Sequence, residues 1–129
     1  MFSSPSARWL FLTCWPKFGR ARRRAMLATI PDLTDLLAKN SATLRAHGLH
    51  AETVAAILAW QHQDESSASV SAVRQILLDC ARHGIDIVSW QSSNYPEALR
   101  HIHDAPLVLF ARGDVRLLSY EQIGIIGSR

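Results

Sequence analysis

The chain has 129 residues, 48% of them apolar and 19% charged, with two cysteines and a formal net charge of +3. A polymer of this size buries roughly two-thirds of its unfolded surface, and its apolar content excludes a disordered tail. No apolar run approaches the ~18–20 residues of a membrane span, and the isolated Cys14 and Cys80 provide neither a disulfide framework nor a metal knuckle. One soluble domain, or one and a fraction, is expected.

Charge is unevenly placed. Residues 1–31 carry Arg8, Lys17, Arg20, Arg22, Arg23 and Arg24 without an acid, whereas the remainder holds eight basic against eleven acidic groups. Arginine supplies 12 of the 14 cations. Its planar fork suits phosphate better than a point ammonium does, so a polyanion is a candidate partner for this segment; a solvated helix face is the plainer alternative. Arg8 before a short apolar run superficially mimics a secretory leader, and the acid-free start has the composition of a transit peptide. No small-residue cleavage pattern follows, and the apolar pattern runs on into the next helix.

In chain order, residues 6–14 predict a short apolar helix that Pro16-Lys17-Phe18-Gly19 breaks. Helix resumes over 20–28, with Ala21, Ala25, Met26 and Ala28 expected inward and the arginines outward. Leu33, Leu36 and Leu37 recur at helical spacing after Pro31-Asp32. Ser41 is placed to cap a one-to-two-turn helix ending near Gly48. Residues 50–62 carry Val54, Ile57 and Leu58 on one face, 61–69 is the best linker candidate, and Val73, Ile76, Leu77 and Cys80 stripe a helix ending at Gly84. Beyond Gly84 the texture changes to strand: alternating 85–90, then continuous apolar 107–110, then 123–126. A short helix from Asn94-Tyr95-Pro96 to Ile102 separates the first two. Gly113-Asp114 predicts a turn, and 115–119 a loop or single helical turn.

Several constellations have both a functional and a plainer reading. Pro16-x-x-Gly19 between short helices, followed by basic residues, has the form of a helix-hairpin-helix turn. There Lys17, Gly19, Arg20, Arg23 and Arg24 would meet DNA phosphates; an ordinary corner between helices accounts for the same residues. Six histidines include His101-x-His103 beside Asp104 and the pair His47 and His50, but neither has metal-ligand spacing, so no metal or cofactor is expected. No nucleophile-elbow spacing marks a hydrolase. Trp9, Trp15, Trp60 and Trp90 read as core rather than as base-stacking platforms. The last strand runs into Gly127-Ser128-Arg129, as a doubly wound sheet does at its first phosphate-facing turn, although any strand can end in glycine.

Tyr95-Pro96, Leu99, Ile102, Asp104 with Pro106, Leu109-Phe110, Gly113 and the closing Ile125-Ile126-Gly127-Ser128-Arg129 together resemble the opening of the core domain of the bacterial DNA-processing family DprA, also called Smf. Ala105 stands where that family more usually has a second proline. The resemblance implies an α+β fragment. A helical domain over 1–84, sterile-alpha-motif-like (SAM-like) or helix-hairpin-helix-like, would be followed over 85–129 by the truncated start of a Rossmann-like α/β domain. It further implies a cytoplasmic, non-enzymatic protein that binds single-stranded DNA during natural transformation and assists loading of the RecA recombinase. Self-dimerisation and RecA contact would belong to surfaces beyond this sequence. Gly127, Ser128 and Arg129 would take the family's phosphate-binding role, with Arg129 gripping the DNA backbone. A fragment of this kind is expected to bind DNA weakly, through residues 17–24. Two other classes stay open: a nucleotide-binding Rossmann-like enzyme and a helical protein-interaction module.

Overall fold

The computed structural model describes residues 3–102, 105–113 and 125–126. Its elements are α1 (Pro5–Thr13), α2 (Arg20–Thr29), a 3-10 helix (Leu33–Ala38), α3 (Ser41–Ala46), α4 (Ala51–Gln61), α5 (Ala68–Arg82), β1 (Ile85–Ser89), α6 (Glu97–Arg100), β2 (Val108–Arg112) and β3 (Ile125–Ile126). The class is α+β, as expected. Contacts divide the chain into two compact units, residues 11–74 and residues 1–10 with 75–129, and the division falls within α1 and within α5.

In the first unit, residues 11–74, short helices are fixed by caps and an aromatic stack rather than by length. Phe11 lies nearly flat on Trp60, 4.3 Å between ring centroids at 11°. Trp15 meets Phe11 edge-on and packs at 4.9 Å against Phe18. Such aromatic contacts add to the burial that Leu33, Leu36, Leu44 and Ile57 contribute nearby in the sequence of helices. Polar groups close the loops between them. Asp32 caps the 3-10 helix by accepting from the Thr34 N–H at 3.0 Å. The Gln61 amide donates to the Leu37 and Lys39 carbonyls at 2.9 and 2.7 Å, satisfying the end of that helix.

Asn40, not Ser41, caps α3: its side-chain oxygen accepts the Thr43 N–H at 2.8 Å, and Ser41 is the first helical residue. Both types are good caps, and the deciding factor is which one sits three residues before the free N–H. His50 does the same for α4, with Nδ1 accepting from Glu52 N–H at 3.0 Å. The expected linker is a structured turn in which Asp64 accepts both the N–H and the hydroxyl of Ser66.

In the second unit, α1 begins one residue earlier than its apolar pattern suggests. Ser4 Oγ accepts the Ala7 N–H at 3.1 Å and Pro5 fills the first helical position, where its missing N–H is no loss. The sheet has order β1-β2-β3, antiparallel at both interfaces. Val88 pairs with Leu109 and Ile87 with Phe110; on the other side Phe110 pairs with Ile126. Val88, Leu109 and Ala111 form a core with Tyr95, against which Trp90 and Leu99 pack. Val108 and Ser89, on the opposite face of the pleat, are buried as well. The continuous apolar run of β2 therefore reports a strand flanked on both sides and covered on both faces. It does not report parallel pairing, and the parallel ladder of a doubly wound sheet is absent among the described residues. Of the strand expected over 123–126, residues 125–126 are described as β3, while the segment 115–119 lies outside the described residues. The β1 backbone is tied to α1 by the Ser6 hydroxyl, which donates to the Ile87 carbonyl at 3.0 Å. A side chain bonded to a strand carbonyl in this way blunts further pairing there.

Candidate nucleic-acid interface

The Pro16–Gly19 corner is pinned by packing. Phe18 is buried against Trp15, and the Pro16 carbonyl accepts the hydroxyl of fully buried Thr53 at 2.6 Å. Lys17 takes a left-handed φ of +56° at the tip. Its ammonium is exposed, 4.0 Å from the Glu52 carboxylate, which also lies 3.8 Å from His50 Nδ1. Gly19 is extended, with φ −81°, and an added Cβ would touch nothing there. Neither conformation nor close approach demands glycine at that position.

The basic helix departs from expectation. Ala21, Ala25 and Ala28 are exposed rather than inward, and α2 has no buried residue; only Met26 and Leu27 join Arg23 in partial burial. An alanine face is too small to drive burial on its own, so three alanines among four arginines do not define an inward stripe. Arg20, Arg22 and Arg24 are exposed on this helix. The guanidinium of Arg22 donates to the Gly48 carbonyl and so holds α2 beside the α3–α4 turn. Gly48 itself has φ +80°, where L side chains are strained, and a Cβ there would lie 3.0 Å from Arg22 Nη2. Arg45, one turn before, accepts the Gly48 N–H on its carbonyl at 2.9 Å and is exposed, as is His47. The signal for this arrangement was the glycine closing α3, which fixes a left-handed helix end; nothing in the sequence paired it with Arg22.

Gly127, Ser128 and Arg129 follow β3 directly in the sequence and lie outside the described residues, as do His103 and Asp104. Among the described residues of the sheet unit, the notable polar group is Arg100. Its guanidinium sits 5.7 Å from the Trp90 ring centroid and 5.2 Å from that of Tyr95, and donates to the Ser92 carbonyl at 2.9 Å. Trp90 is thus half-buried and capped by a cation, whereas Trp9, Trp15 and Trp60 are core residues as expected. Tyr95 is buried, its hydroxyl donates to the Pro106 carbonyl at 2.6 Å, and burial pushes its pKa up to about 12 against the opposing pull of Arg100.

Burial also raises both thiols, Cys14 and Cys80, which leaves them short of thiolate character. Among the described residues no group of three or more His, Cys, Asp or Glu side chains could hold a metal, and no helix is long and apolar enough to cross a membrane.

Comparison with known proteins places a family on one part of the chain. The sequence profile of the family described as DNA recombination-mediator protein A matches residues 86–129. A curated relative, the DNA processing protein DprA of Bacillus subtilis (strain 168), is 43% identical over 56 residues, which cover 43% of this chain and 19% of the relative. The chain thus spans about a fifth of that relative's length. No solved structure matches the chain. Both findings support the DprA-type resemblance read from residues 94–129.

Proposed function

We propose that this chain, DprA-type over residues 86–129, is a DNA-binding recombination mediator that engages single-stranded DNA. The observation that carries the reading is the family match itself, which runs to the Gly127-Ser128-Arg129 motif. In this reading the helical domain is residues 1–84, SAM-like, and residues 85–129 open a Rossmann-like domain. Gly127 lets backbone N–H groups approach a phosphate, Ser128 adds a hydroxyl donor, and Arg129 supplies a guanidinium able to bind phosphate bidentately. Lys17, Gly19, Arg20, Arg23 and Arg24 form a secondary contact region. A role in transformation and a cytoplasmic location follow from the same family reading, in which contact with RecA and self-dimerisation belong to the full-length family. So does a function in binding rather than catalysis.

Physical chemistry supports a polyanion partner independently of the family. Six cations and no acid in the first 31 residues produce a local field that attracts phosphate, and arginine is weakly hydrated enough to give up water for it. The test is a fluorescence-anisotropy titration of labelled single-stranded DNA with the chain and with Arg129→Ala. Binding that is weakened in the variant supports the motif's role; binding unchanged by the substitution removes Arg129 from the site.

A further inference from the structure

α4 opens on a titratable cap. The first turn of a helix holds N–H groups that have no intrahelical partner, and the Glu52 N–H finds its acceptor on His50 Nδ1 at 3.0 Å. Ser, Thr, Asp or Asn oxygens, which accept at any neutral pH, are the commoner choice there. An imidazole nitrogen accepts only while unprotonated. The neutral ring must therefore carry its hydrogen on Nε2, and a second proton, arriving on Nδ1, turns the acceptor into a donor. Histidine is the side chain that ordinarily makes this change between about pH 5 and 8.

The charged groups nearby set the consequence. The Glu52 carboxylate lies 3.8 Å from Nδ1 and 4.0 Å from the Lys17 ammonium of the Pro16–Gly19 corner, and all three side chains are more than half exposed. Arg22 reaches from α2 to the Gly48 carbonyl, and Arg45 and His47 close α3 just before His50 in the chain. These cations and the positive end of the α4 dipole oppose an imidazolium, whereas Glu52 draws the proton in. An exposed ion pair returns less than a helix cap, so protonation loosens the turn. Thr53, in that turn, is fully buried, and its hydroxyl holds the Pro16 carbonyl at 2.6 Å. The turn that His50 closes thus also pins the corner between α1 and α2.

We propose that His50 is a proton-operated latch on that corner. Neutral, it closes the first turn of α4 and fixes residues 16–19. Protonated, it exchanges the Glu52 N–H for the Glu52 carboxylate, competes with Lys17 for it, and frees the corner. The body of α4 stays folded in both states, anchored by buried Ile57 and Trp60. The device is independent of the ligand that the protein binds.

The experiment follows the isotope-labelled full chain by NMR from about pH 8 to about pH 5. At the upper end the His50 ring should show the Nε2–H form. Amide-exchange protection at Glu52, corrected for the intrinsic effect of pH, should fall about fivefold as the ring titrates, the worth of one cap. The Lys17 and Gly19 resonances should shift with the same midpoint. His50→Asn supplies a cap that does not titrate and should hold Glu52 protection constant, whereas His47→Gln should leave the fall in place. Glu52→Gln keeps the N–H but removes the carboxylate, and should move the midpoint to lower pH. Equal protection at both ends of the range overturns the latch, as does a fall that persists in His50→Asn or vanishes in His47→Gln. A fall at Glu52 with Lys17 and Gly19 unmoved overturns it too, because the corner is then not held by this turn.

Discussion

Tyr95 concentrates several effects in one side chain. It packs on Val88, Leu109 and Ala111, receives Arg100 against its ring, and anchors the entry to β2 through the Pro106 carbonyl. Tyr95→Phe keeps the packing and leaves that carbonyl without its donor, for an expected loss of about 1 kcal/mol in urea unfolding. The phenol also imposes a pH dependence of definite sign. Its folded pKa of about 12 stands above the ordinary value of 10.0, so the folded state holds the proton more tightly. Stability from this group is complete below pH 10 and is lost as pH rises towards 12. Unfolding curves across that interval should fall more steeply for the unaltered chain than for Tyr95→Phe. Parallel curves would show that the phenol is not perturbed. Gly48 gives a second residue-level expectation. Gly48→Ala forces a left-handed φ on alanine and is expected to cost about 1 kcal/mol or more. The Arg22 head group, being flexible, can move away from the new Cβ, so the same substitution should loosen α2, read as a faster amide exchange over residues 20–29 than elsewhere in the unit.

Among the elements, caps and central strands show how far local sequence carries. Asn40→Ala is expected to destabilise by about 1 kcal/mol, and Ser41→Ala to lie within a few tenths of the parent, in denaturant melts. The reverse order would restore Ser41 as the cap. Helix and strand positions were legible because the apolar spacing of 3.6 or 2 is written residue by residue: α4, α5, β1 and β2 fall within a residue or two of expectation. Pairing direction was not legible. It depends on the path from β1 through α6 back to β2, and the apolar run of β2 is the same whether its neighbours run with it or against it. The face of α2 is not legible in the sequence for a related reason. Alanine has too little surface to declare an inward side, so only tertiary contact could decide it, and there Arg22 rather than alanine makes the attachment.

At the scale of the whole molecule, the sequence spoke most clearly where a family pattern and a charge field were concentrated in different parts of the chain. The pattern over residues 94–129 resembles one family, and the profile match over 86–129 falls on the same stretch. The basic field was visible as composition in the first 31 residues, but its shape was not. Gly48 and Arg45 are more than twenty residues from Arg22 in sequence, and only folding puts them beside it. If this chain holds single-stranded DNA by its phosphate backbone, as proposed above, counterion release governs its affinity. The affinity of the unaltered chain for labelled oligothymidylate, measured across a series of salt concentrations, reads this directly. A straight fall of log affinity with log salt is expected, about 0.7 for each phosphate contacted, with the same slope on oligodeoxyadenylate. Affinity indifferent to salt, or no binding at low salt, is the result that refutes backbone binding.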